Sequence, residues 1–192
     1  EGVRLKHMVN GNSLKTYDKE GRILRVETTI VNPREFRVYR ASETSSDKTN
    51  KWLRMRSGVA DLWRRAEVSR AANTRYLNAL ASAADTTPLH ELVKPTCRAI
   101  TVDGQRYRAL NPWAQDAALL ETISRGEFAL NGFRNRDVRR HLYAPTTNPD
   151  EQRRRSAAIT RKLALLRAHC LIKKVSGTHR WILTENGRQV VT

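Results

Sequence analysis

The chain has 192 residues, enough for one large or two small domains with cores of their own. Lysine and arginine number 36 against 19 aspartates and glutamates, so the formal net charge is +17, and a surface this basic attracts polyanions at long range. Nucleic acid is therefore the first expected partner and an anionic membrane surface the second.

No run approaches the roughly 20 apolar residues of a membrane span, and residues 1–20 lack the apolar stretch of a signal peptide. Cys97 and Cys170 are the only cysteines, too few and too far apart for a disulfide framework or a metal site. No cofactor is implied, and a cytoplasmic setting is expected. The chain opens at Glu1 and is strand-like at once, which suggests a fragment of a longer protein.

Residues 3–40 read as an antiparallel β-meander. The runs VRLKHMV, SLKTY and ILRVETTIV are separated by Asn10-Gly11, a hairpin signal because both positions tolerate positive φ, and by Asp18 to Gly21, which suits a type I turn closed by a glycine bulge. In that register Leu5, Val9, Leu14, Leu24, Val26 and Ile30 fall on one face. Arg4, Lys6, Lys15, Tyr17, Arg25 and Glu27 fall on the other. Pro33 breaks the third strand, and residues 36–40 can add a fourth. Residues 41–50 are polar and read as a linker.

A long helix is expected over 57–83, with Ser57 as its cap and Val59, Leu62, Trp63, Ala66, Leu77 and Leu80 as its core stripe. Its other faces carry Arg64, Arg65, Arg70 and Arg75. A short helix after Pro88 is stopped by Pro95, and a small hairpin turns at Asp103-Gly104. Trp52, Trp63, Trp113 and Trp181 read as core or interdomain anchors.

From Pro112 the pattern becomes helix, helix, helix, hairpin. The helices are expected over about 113–125, from Asn135 through NRDVRRHLY, and from Pro149 to about His169. The last has Asn148 as cap, proline at its first position and Glu151 to complete a capping box. LIKKV and RWILT then pair across SGTH. The expected architecture is α+β: residues 1–110 form a β-meander with a long helix, and residues 111–192 form a winged helix-turn-helix, in which the second helix of the helix-turn-helix pair enters the major groove and the hairpin wing touches backbone.

The third helix can be laid on a wheel. Ile159, Leu163, Leu166 and Cys170 make a core stripe, and Arg154, Ala157, Arg161, Ala164 and Ala168 face away from it, flanked by Arg153 and Thr160. Small alanines between arginines let a helix approach a groove while the arginines reach phosphates or guanine edges. Arg136, Arg139 and Arg140 on the preceding helix and Lys173, Lys174, His179 and Arg180 on the hairpin complete the expected contacts, with double-stranded DNA as the partner. A charged helix face is more often simply solvated, so the expectation rests on the order of elements as well as on charge.

LLRAHCLIKKVSGTHRWILTENGR resembles the wing and the start of the final helix of bacterial winged-helix regulators of the MarR-like group. That group implies DNA binding and often a homodimer, and no heptad seam in this chain fixes that oligomer. The stretches NGNSLKTYDKEGRILRVETTIVNP, GVADLWRRAEVSRAANTRYLNALA, RALNPWAQDAALLETISRGEF and NGFRNRDVRRHLY resemble a family of uncharacterised bacterial proteins about twice this length, which implies no activity.

Residues 12–30 hold a polar set, Asn12, Lys15, Tyr17, Asp18, Lys19, Arg25 and Glu27. A DNA-processing enzyme of nuclease or relaxase type is the alternative they offer. Tyr17 would be the nucleophile, Lys15 or Arg25 would stabilise the phosphoryl transition state, and Glu27 would hold a metal. The Lys-x-Tyr-x-Lys stretch slightly resembles rolling-circle replication initiators. Those enzymes need a paired histidine motif, which His7, His90, His141, His169 and His179 do not form. His7 falls on the apolar face and reads as a core histidine. A cross-strand lattice of Lys15, Arg25 and Glu27 is the plainer reading, so no catalytic residue is assigned. Neither Ser13 nor Ser57 has a His/Asp context, and there is no phosphate-binding glycine loop. A winged helix that binds protein is the third reading, which an exposed apolar stripe at Trp113 or along the long helix would favour.

Overall fold

The computed structural model describes residues 2–43, 48–84 and 86–191. Among them are seven helices and four small antiparallel sheets, so the chain is mixed α+β. Among the described residues no helix is long and apolar enough to cross a membrane. Its contacts divide the chain into two compact units, residues 1–77 with 129–131, and residues 78–128 with 132–192. The division expected at 110/111 differs in residues 78–110, which group with the second unit.

In the first unit β1 (Arg4–Val9), β2 (Asn12–Lys19) and β3 (Ile23–Thr29) pair in that order. Asn10 and Gly11 both take positive φ and close the first hairpin. At the second, Glu20 and Gly21 are both left-handed and the Arg22 amide donates to the Lys19 carbonyl, so the turn is of the mirror-image hairpin type and not the expected type I.

A 3-10 turn, Pro33–Glu35, redirects the chain, and β4 (Arg37–Ala41) pairs with β5 (Asn50–Arg54) in a separate two-stranded sheet. The expected linker at 41–50 therefore ends in a strand, and its residues 44–47 lie outside the described residues.

The long helix α1 (Leu62–Ser82) starts five residues later than expected, and Ser57 does not cap it. Its buried residues are Val68, Ala72 and Tyr76, which join Leu14, Phe36, Met55 and Leu130 in the core. The stripe expected to be buried, Val59, Leu62, Trp63, Leu77 and Leu80, is exposed. Polar groups set the helix's rotation. Asn73 accepts from the Thr28 hydroxyl at 2.7 Å and donates to the Val26 carbonyl, and Tyr76 meets His7 Nε2 at 3.2 Å. Arg75 donates to the carbonyls of Ala129 and Leu130 at 2.7 and 2.8 Å. Asn12 is equally structural: its side chain accepts from the Asn32 amide at 2.8 Å and is buried. Trp52 and Trp63 are exposed and anchor no core.

The second unit opens with α2 (Leu89–Val93) and the hairpin of β6 (Ile100–Val102) and β7 (Gln105–Tyr107), which turns at Asp103-Gly104 as expected. Next come α3 (Ala117–Ser124), the short α4 (Phe128–Asn131), of which residues 129–131 group with the first unit, α5 (Asn135–Leu142) and α6 (Pro149–Ala168). The hairpin β8 (Ile172–Lys174) and β9 (Trp181–Leu183) and a terminal α7 (Glu185–Val191) complete it. The core joins Leu119, Ile123, Phe133, Val138, Ile159, Leu163, Leu166, Leu171 and Ile172.

Phe133, between α4 and α5, forms an antiparallel bridge with Trp181, exchanging amide-carbonyl hydrogen bonds at 2.9 and 2.8 Å. The hairpin is thereby tied to the segment ahead of α5. Cys170 is not in the core stripe: it is exposed and left-handed, with φ 58°, because the helix ends before it, and Leu165 and Leu171 are buried instead. Trp113 is 65% exposed, and only Trp181 of the four tryptophans packs against a core.

Candidate nucleic-acid interface

The start of α6 is built as its sequence implies, with one change. Asn148 Oδ1 accepts from the amides of Asp150 at 2.9 Å and Glu151 at 3.3 Å, and Pro149 occupies the first turn. Glu151 does not reach back to complete a box. Its carboxylate pairs instead with Arg154 and, at 2.5 Å, with Arg155. The Arg155 hydrogen bond, reinforced by the charge of Arg154, holds the Glu151 carboxyl below the ordinary range. A reciprocal acid does cap α5, where Asp137 accepts from the Arg134 amide at 2.8 Å.

Burial of Ile159, Leu163, Leu165 and Leu166 turns the opposite face of α6 outward. Arg153, Arg154, Ala157, Thr160 and Arg161 are all exposed there, as is Arg167 nearer the helix end. The ion pairs of Arg153 with Asp150, at 3.6 Å, and of Arg154 with Glu151 involve exposed guanidinium groups, where such pairs are weak and salt-screened. Arg161 lies four residues beyond Ala157 on the same face, as expected.

Not every expected residue is available. Arg155, which the sequence does not distinguish from its neighbours, is structural: it donates to Glu151 and to the Ala144 carbonyl and lies 5.2 Å from the centre of the Tyr143 ring. Thr160 bonds the Ser156 carbonyl and accepts from Asn135 Nδ2 at 2.9 Å, so it fixes α5 against α6. Arg139 is half-buried and donates to the Gln152 carbonyl at 3.2 Å, while Arg136 and Arg140 are exposed. On the hairpin Lys173, Lys174 and His179 are exposed. Arg180 is only 3% exposed and does not present its guanidinium to solvent, which corrects its place among the expected contacts.

A cleft of about 450 Å³ opens where the start of α5, the middle of α6 and the hairpin converge. Arg134, Arg136, Arg139, Lys174 and His179 line it with Asn135, Ser156 and Thr160, and Leu163 and Trp181 supply its apolar part. Arg134, Asn135 and Ser156 are the contributions that the sequence did not single out. The signal available was the repeated cation in Arg134-Asn135-Arg136 at a helix start, where backbone amides also favour anions. Among the described residues no carboxylate lines the cleft, so the charge of its lining suits an anion.

In the first unit the observed register sets Lys15 opposite Glu27 and Tyr17 opposite Arg25, so these four residues do share one face. Glu27 is held by Arg25 at 2.5 Å. Among the described residues no group of three or more histidine, cysteine or acidic side chains is placed to hold a metal ion. No family model, curated protein or solved structure matches the chain.

Proposed function

We propose that the chain binds double-stranded DNA through its C-terminal portion, with α3, α5 and α6 as the helices and β8–β9 as the wing of a winged helix. The observation that carries this reading is the convergence of the α5 start, the outward arginine face of α6 and the basic hairpin around one acid-free cleft. The order α3, α4, bridging Phe133, α5, α6, hairpin supports it, since the Phe133–Trp181 bridge ties the wing to the segment before α5. In this reading α6 enters the major groove, Arg154 and Arg161 meet phosphates or guanine edges across Ala157, and Lys173, Lys174 and His179 follow the backbone.

Fluorescence anisotropy with a labelled duplex over a salt series tests it. Arg154→Ala with Arg161→Ala should weaken binding strongly and reduce the slope of log K against log salt by about 2. A double variant that binds the duplex as the wild type does sinks the groove assignment.

A second reading, a protein-binding winged helix, is favoured by the exposed indole of Trp113. It predicts that the chain shows no salt-dependent affinity for any duplex, which the same titration reads.

A further inference from the structure

The three-stranded sheet has a covered face and an open one. Leu14, Thr16 and Thr28 lie on the side that meets α1, where Leu14 is fully buried and Asn73 bonds Thr28. The pairing places two rows on the opposite side, Arg4–Tyr17–Arg25 and Lys6–Lys15–Glu27, with Lys19 beyond them. Five cations and one carboxylate thus share the open face, whereas the only ionisable groups of these strands on the covered face are His7 and Asp18. Interspersed signs keep a solvated face free of a strong field. This one sets Lys6 directly against Lys15, an arrangement that destabilises a sheet unless an anion sits over it. Glu27 is occupied by Arg25, and Arg4, Lys6, Lys15 and Lys19 have no ion-pair partner among the described residues.

We propose that this open face binds single-stranded nucleic acid, with the cations on its phosphates and Tyr17, flanked by Arg4 and Arg25, stacking an unpaired base. Charge complementarity selects a polyanion. Two features select a single strand. The outer strands are separated by roughly 10 Å before side chains are added, while the major groove, about 12 Å wide, takes a helix or a two-stranded ribbon. A lone ring amid cations offers stacking only to a base that is out of its pair. The surface belongs to the first unit and the α6 face to the second.

The test uses the full chain, with labelled oligothymidylate and a labelled duplex, over a salt series. Lys6→Gln/Lys15→Gln/Lys19→Gln should reduce the salt slope on oligothymidylate by about 2 and leave the duplex slope unchanged. The corresponding Lys→Arg triple variant should restore it. Tyr17→Leu should weaken oligothymidylate binding by roughly tenfold or more. An unchanged oligothymidylate slope, or a loss that is equal on both probes, overturns the proposal, and a Tyr17→Leu variant that binds as the wild type does overturns the stacking. Failure of the duplex reading is seen separately, as an Arg154→Ala/Arg161→Ala variant with unaltered duplex binding.

Discussion

The Asp116 carboxylate, wholly buried at the entrance to α3, is gripped by both terminal nitrogens of Arg108 at 2.7 Å. The Asn111 amide donates to it as well, at 2.9 Å. One side chain therefore closes the loop between β7 and α3 and fixes where the three-helix segment begins.

That pair sets an acid limit on stability. Burial pushes the Asp116 carboxyl up, but the hydrogen bonds from Arg108 and the Asn111 amide outweigh it and leave the group below the ordinary carboxylate range. A folded value below the unfolded one means that the contribution is complete above about pH 4 and is lost as pH falls toward the folded value. Breaking a fully buried pair costs roughly 3–5 kcal/mol; because the Arg108 side chain is 44% exposed, Asp116→Ala is expected to cost about 2 kcal/mol. Denaturant melts at neutral and acid pH check this, and the wild-type and variant curves should converge in acid.

Gly132 carries a second constraint. Its φ is 64°, and a Cβ there would lie 2.2 Å from the Trp181 carbonyl oxygen. The contact adjoins the Phe133–Trp181 bridge, so relief requires the hairpin to move. Gly132→Ala is expected to cost on the order of 3 kcal/mol or more. Gly21→Ala, also left-handed but with open space around it, should cost only about 1–2 kcal/mol. Thermal melts of the two variants supply the comparison, and equal losses would remove the clash from the account.

On the proposed duplex reading, Arg180 and Lys174 separate stability from binding. Buried Arg180 packs within the second unit, whereas Lys174 stands out over the Trp181 ring, 6.0 Å from its centre. Arg180→Ala should lower the melting temperature and leave duplex affinity intact well below the melt. Lys173→Ala with Lys174→Ala should do the reverse, lowering the salt slope by about 2 with stability changed by no more than about 0.5 kcal/mol. A fall in affinity for Arg180→Ala under conditions where it is fully folded would place that arginine back at the interface.

The same contrast shows what the sequence could reveal. Asn10-Gly11, Asp103-Gly104 and Asn148-Pro149 were legible because each imposes its conformation within two or three residues. The period of Ile159, Leu163 and Leu166 told inside from outside on α6 for the same local reason. On α1 apolar residues lie on more than one side, and the choice was made by partners far along the chain: Thr28 and Val26 for Asn73, and Ala129 and Leu130 for Arg75. Tertiary hydrogen bonds of this kind bury Ala72 and leave Leu62 and Trp63 in water. β5 was missed because NKWLR follows a polar stretch without an Asn-Gly or Asp-Gly pair to set a hairpin register, and its partner β4 lies ahead of that stretch. Arg180 looked like wing charge because nothing in its neighbours records that the hairpin folds it inward.

His141 gives the chain a response nearer neutrality. On α5 its ring meets Phe128 edge-on at 6.0 Å, and Nε2 is 3.6 Å from Glu127, which Arg125 already holds at 2.6 Å. Burial lowers its pKa, and the charges of Arg125 and Arg140 lower it further against the opposing pull of Glu127 and Asp137. The unfolded chain then binds a proton at a pH where the folded chain does not. Stability is complete above the unfolded value of about 6.5 and declines as pH drops toward the folded one. His141→Phe keeps the ring contact and removes the titration, so its melting temperature should fall less than that of the wild type between neutral pH and mild acid. A His141→Phe variant whose melting temperature falls with acid as steeply as the wild type's would assign the loss to another group.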